Sequence, residues 1–109
     1  MKVIQDEKCK YYIGGNAREN WNMLNCAEGH DIWIHLKDCS SCYVIVVLRE
    51  LKEMSLEDIM YACSLCKSYS KMRDEKKKVK CCYTEVRNVV KGRCVGQAVM
   101  LVPPTVISI

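Results

Sequence analysis

Seven consecutive apolar residues, Cys42-Tyr43-Val44-Ile45-Val46-Val47-Leu48, make the longest unbroken apolar run in the chain. The run is rich in β-branched residues and reads as a strand. Side chains alternate between the two faces of a strand, so one that is apolar throughout is a central strand covered on both faces. It is far shorter than the roughly 20 apolar residues that a membrane-spanning helix needs. Ahead of it, Asp31-Ile32-Trp33-Ile34-His35-Leu36-Lys37 alternates cleanly. Ile32, Ile34 and Leu36 share one face, and Asp31, Trp33, His35 and Lys37 share the other. Asp38-Cys39-Ser40-Ser41 is a short polar turn between the two strands, which predicts an antiparallel hairpin.

The flanking elements follow from the same periodicities. Residues 8–13 alternate well enough for a first strand, which Gly14-Gly15 ends. Asn16 to Glu19 has capping-box form: the Asn16 side chain can accept from the Glu19 backbone, and Glu19 can reach back. A helix is predicted over residues 17–27, with Ala17, Trp21 and Leu24 on its apolar stripe and Gly29 as a left-handed stop. Ser55 caps a second helix with Asp58 as box partner, and Met54 with Ile59 forms a hydrophobic staple. Its apolar face runs through Leu56, Ile59, Cys63, Cys66 and Ser70, widened by Met60. A long strand is predicted over Val79–Val90, a turn over Gly92–Gly96, a strand over residues 98–102, a break at Pro103-Pro104, and a last strand over residues 105–109. The order β-α-β-β-α-β-β-β predicts an α+β fold, a mainly antiparallel sheet with two helices packed on it, in one domain over residues 1–109.

Composition narrows the class. At 109 residues and 50% hydrophobic content the chain suits one folded domain rather than a disordered segment. The first residues contain no apolar signal-peptide core, so a soluble cytoplasmic protein, or a nuclear one, with no membrane partner is expected. The nine cysteines are then mostly reduced, small, buried apolar residues. Net charge is +4, yet residues Lys71 to Arg93 alone carry nine basic and three acidic side chains. A local basic patch of this kind fits a polyanionic partner such as nucleic acid.

Several motifs compete for a functional reading. Cys39-x2-Cys42 and Cys63-x2-Cys66, twenty residues apart, match the spacing of a four-cysteine zinc site. Against it, Cys63 and Cys66 lie on the apolar stripe of a helix and Cys42 opens a strand, so buried thiols are the stronger expectation. Cys81 and Cys82 are adjacent on a strand and face opposite ways. No spacing assembles a nucleophile, base and oxyanion site, so neither an enzyme nor a cofactor is expected. The Asp31–Trp33–His35 face either packs against a helix or presents rings that stack on bases.

Taken together, Gly14-Gly15-Asn16, Asn20, Asp31-Ile32-Trp33-Ile34-His35, Val44, Tyr83-Thr84-x-Val86-x-Asn88-Val89 and Gly96 resemble the NFACT RNA-binding domain, NFACT-R. The resemblance spans about residues 10–109. It implies RNA binding rather than catalysis. The family domain occurs in large ribosome quality-control proteins of the NEMF and fibronectin-binding-protein-A-like group, and in small stand-alone eukaryotic proteins. The resemblance therefore implies tRNA or the large ribosomal subunit as partner. Two positions depart from the family pattern: Gly15 stands where large members carry Arg, and Cys42-Tyr43 stands where many have Ser-His or Ala-His.

The expected phosphate contacts are Lys76, Lys77, Lys78, Lys80, Arg87, Lys91 and Arg93, with Trp33, His35 and Tyr43 as a stacking and hydrogen-bonding surface. Asn16, Asn20, Asp31, Asp38, Tyr83, Thr84 and Gly96 are expected to be structural. Alternatives are an adaptor that contacts a protein partner without touching RNA, and a small zinc protein using Cys39, Cys42, Cys63 and Cys66.

Overall fold

A computed structural model describes residues 1–37, 39, 41–48 and 54–109; the turn residues Asp38 and Ser40 lie outside that set. The strands are β1 (Lys2–Gln5), β2 (Cys9–Ile13), β3 (Ile32–Leu36), β4 (Val44–Leu48), β5 (Lys80–Glu85), β6 (Val89–Lys91), β7 (Ala98–Met100) and β8 (Thr105–Ser108). The helices are α1 (Ala17–Cys26) and α2 (Leu56–Ser68). One sheet of six strands runs in the order β1-β2-β4-β3-β5-β8, every neighbouring pair antiparallel, and β6 with β7 forms a separate two-stranded ribbon. The β3–β4 hairpin is central, with Trp33 opposite Ile45 and Ile34 opposite Val44. This is the expected α+β class.

The sheet is covered on both sides, as the apolar run of β4 requires. On one face, α2 lays Ile59, Ala62, Cys63, Leu65 and Cys66 against Tyr11, Ile13, Ile34, Leu36, Val44, Val46 and Cys81. On the other, α1 supplies Met23 and Leu24, and the ribbon supplies Val89, over Trp33, Tyr43, Ile45 and Cys82. Cys81 and Cys82 thus enter opposite cores, as strand alternation demands. Successive residues of β4 feed the two cores in turn, which explains why it tolerates no polar side chain.

Several boundaries differ from the sequence expectation. Strand β1 pairs with β2 at the sheet edge and is mostly exposed, so its apolar signal is weak. The β-branched stretch 79–90 is two strands. A 3₁₀ turn at Val86–Asn88 takes the chain off the sheet, held by Val86 N–H donating to the Asp31 carbonyl at 2.8 Å and Arg87 N–H to the Gly29 carbonyl at 3.0 Å. Helix α1 buries Asn20, Met23 and Leu24, while Ala17 is exposed. Helix α2 leaves Leu56 and Met60 in solvent, because its buried face runs through Ala62 and Leu65 instead. Gly29 does not adopt a positive φ; α1 ends in extended backbone at Ala27. The Ser55–Asp58 capping box is present in both directions.

Candidate nucleic-acid interface

The glycine-asparagine segment after β2 sets the start of α1. Asn16 Oδ1 accepts from Glu19 N–H at 2.9 Å, and Glu19 Oε1 accepts from Gly15 N–H at 2.8 Å, so the reciprocal contact reaches one residue before the cap. One turn on, buried Asn20 accepts the Tyr43 N–H on Oδ1 at 3.1 Å, tying the helix to β4. Gly14 makes room for it: a Cβ there would sit 1.9 Å from Asn20 Oδ1.

The ribbon tip closes over this junction. The Tyr43 hydroxyl donates to the Gly96 carbonyl at 2.5 Å, and Trp21 Nε1–H donates to the Gln97 carbonyl at 3.0 Å. Gly96 has φ +90°, and a Cβ on it would lie 2.6 Å from Ala17 Cβ, so the turn requires glycine on both counts.

Beneath the tip lie three rings. Trp33 and His35 stack at 5.7 Å between centroids, and Tyr43 meets them edge-on at 5.4 and 5.6 Å. Trp33 and Tyr43 are each 1% exposed, so the expected open stacking surface is corrected here: both are packed between the sheet and α1. Burial pushes the Tyr43 hydroxyl up to about 12. It also pulls the His35 imidazole below its ordinary value, so His35 is neutral at pH 7. Trp33 Nε1 is buried and has no hydrogen-bond partner among the described residues. The three rings line a groove of about 1210 Å³ that also touches Asn20, Gly96, Lys2, Tyr69 and Lys71. Among the described residues, no Asp or Glu is in its lining.

The seven basic residues expected to contact phosphate are all exposed, but they do not form one patch. Lys76, Lys77 and Lys78 precede β5, and Lys80 begins it. Arg87 follows the other end of β5, roughly 17 Å away for a six-residue strand. Arg87 is also engaged, with Glu85 at 2.9 Å and, through Nε, the Gly29 carbonyl at 3.3 Å. Lys91 lies over the Trp21 ring at 5.2 Å, and Arg93 belongs to the ribbon turn that follows it. At the Lys80 end the structure adds Lys37, whose N–H donates to the Lys80 carbonyl at 2.9 Å, and the groove residues Lys2 and Lys71. No ion pair among the described residues holds Lys37, Lys71, Lys76, Lys77, Lys78 or Lys80. Lys37 was signalled by its place two residues after His35. Lys2 carried no such signal, since it reaches the groove only through the pairing of β1.

The remaining motif residues hold turns. Buried Asp31 accepts from Glu28 N–H at 2.8 Å and fixes the α1–β3 connection. Asn88 Nδ2 donates to Thr84 Oγ1 at 3.0 Å across the 3₁₀ turn, and Tyr83 packs against the α2-side core. Five of the nine cysteines are buried: Cys9, Cys63, Cys66, Cys81 and Cys82. Cys66 Sγ donates to the Cys42 carbonyl at 3.3 Å, and Cys81 and Cys82 both donate to the His35 carbonyl rather than its ring. Among the described residues no group of three or more His, Cys, Asp or Glu side chains is placed to hold a metal ion, so the Cys39, Cys42, Cys63, Cys66 set does not converge as a zinc site. Among the described residues no helix is long and apolar enough to cross a membrane.

A model of the NFACT protein RNA binding domain matches residues 3–101. The chain belongs to this family. The C-terminal part of the fibronectin/fibrinogen-binding protein from Streptococcus suis shares this fold, with a TM-score of 0.82 at 20% identity. That superposition covers 100% of the present chain and 46% of the streptococcal one, so this chain spans about half the length of its structural relative. No curated protein matches. In the NFACT frame, Gly14, Asn20, Tyr43 and Gly96 form one bonded junction, although they are widely separated in sequence.

Proposed function

We propose that this chain binds RNA, with the lysines at one end of the sheet, Lys37, Lys71, Lys76, Lys77, Lys78 and Lys80, taking the phosphates. Membership of the NFACT RNA-binding family carries the reading. The exposure of these ammonium groups, free of ion pairs among the described residues, supports it physically. Lysines without acidic partners exchange counterions for phosphate at no cost in broken ion pairs, and binding then weakens as salt rises. Arg87 and Lys91 contribute less, because each already has an intramolecular partner. The role is binding, not catalysis, and the RNA is tRNA or the large ribosomal subunit in translation quality control.

Replacing Lys77 and Lys78 by Ala tests the lysine assignment. If both touch single-stranded RNA, the slope of log affinity against log salt falls by about 1.4. Unchanged affinity and slope would remove these residues from the interface. Crosslinking in cells tests the partner: enrichment of tRNA or large-subunit rRNA supports it, and enrichment of neither refutes it.

A protein-contact reading has one observation in its favour. Val90, Val99, Leu101 and Val102 expose an apolar strip on and just after the ribbon. Partners captured equally with and without ribonuclease would favour it.

A further inference from the structure

We infer that the groove over Trp33 receives one unpaired base of the bound RNA, with the Trp33 Nε1–H donating to an acceptor atom of that base. The inference rests on the RNA-binding reading and deepens it. A buried N–H without an acceptor is costly, and native structures seldom retain one without a use. Here the orphan belongs to a residue of the groove wall. Asn20, on the same wall, uses Oδ1 for Tyr43 and leaves its Nδ2 donors without a partner among the described residues. Among the described residues the lining holds no carboxylate, and the groove offers donors and rings.

The rim fits the same ligand. Lys2 and Lys71 stand at the groove, and Lys71 begins the segment leading to Lys76, Lys77 and Lys78. A strand whose base enters the groove therefore has a flanking phosphate beside Lys71, which has no ion pair among the described residues. The groove exceeds the roughly 300–1000 Å³ of typical small-molecule pockets, as suits a passing strand. Nε1 is closed to water in this conformation, so an acceptor reaches it only when a side chain packed around the indole gives way. Bases in a duplex are stacked and paired and do not enter such a site, so the groove selects single-stranded or looped RNA.

The test compares a short oligouridylate, an abasic ribose-phosphate oligomer of equal length and a duplex of that length, bound to the wild type and to Trp33→Phe. Oligouridylate is expected to bind the wild type about tenfold more tightly than the abasic oligomer. Trp33→Phe is expected to lower oligouridylate affinity roughly three- to tenfold and to leave the abasic oligomer unchanged. Circular dichroism melting checks that the variant is folded. Independently, Trp21→Phe leaves Trp33 as the sole indole, and its emission should change with oligouridylate but not with the abasic oligomer. Equal binding of all three probes, unchanged affinity in folded Trp33→Phe, or unresponsive Trp33 emission overturns the base site. If those equal affinities still fall with Lys77→Ala/Lys78→Ala, RNA binding stands without the base site. If no probe binds, both readings fail.

Discussion

Gly14→Ala tests whether the α1–β4 junction is as tightly built as the geometry indicates. The new methyl would lie 1.9 Å from Asn20 Oδ1 and 3.0 Å from its Cγ, well inside contact distance. Asn20 Oδ1 is the far end of a side chain, so it moves rather than the backbone. Moving it removes the acceptor at 3.1 Å from buried Tyr43 N–H. An unsatisfied buried donor costs about 1–3 kcal/mol, and an asparagine forced off its rotamer adds roughly 0.5–1.5 kcal/mol. Restricting the unfolded chain by Gly→Ala returns about 0.4–1 kcal/mol. The net expectation is a loss of about 1–3 kcal/mol in denaturant unfolding. Asn20→Ala alone should cost about 1–3 kcal/mol, again by orphaning the Tyr43 N–H. Both substitutions act through one hydrogen bond, so the double variant should be less destabilised than the sum by at least ~1 kcal/mol. Additive costs, or a Gly14→Ala loss below about 0.5 kcal/mol, would refute the reasoning.

His35 gives a pH signature. Its folded pKa lies below the ordinary 6.5 because burial disfavours the imidazolium. The unfolded state therefore takes up more protons as pH falls through 6.5, and stability falls with it. His35→Gln should flatten unfolding free energy between about pH 7 and pH 5; an equal slope in the variant would contradict the assignment. Asp6 and Glu19, whose carboxyls are held down by hydrogen bonds, and Asp58, held down by Lys8 and Ser55 against the opposing effect of burial, lose their contributions at lower pH, outside this window. Native thiol titration should show fast reaction at Cys26 and Cys94, the two exposed cysteines, with the five buried ones reacting only after denaturation. Fast modification of Cys63 or Cys66 would mean that the α2-side core opens.

Much of this protein was legible in one dimension, where a local period or cap carried the signal. The alternation of residues 31–37, the apolar run of β4 and the Ser55–Asp58 box specified the central hairpin, its two-sided cover and the start of α2. The family motifs were legible because they are short and ordered. The split of residues 79–90 was not, since β-branched residues suit both strands and the break comes from long-range bonds to Asp31 and Gly29.

The chain alone determined the two helices and the central strands, the family and the concentration of lysines between α2 and β5, because backbone preference and charge are carried residue by residue. Only the tertiary structure decided which of those residues meet. It put Trp33 and Tyr43 under α1 and the ribbon rather than in solvent. It separated Arg87 from the Lys76–Lys80 group by the length of a strand, and brought Lys2 and Lys71 to one groove. Alternation says that two residues share a face of a strand, but whether that face looks at water or at a helix depends on what the rest of the chain lays across it.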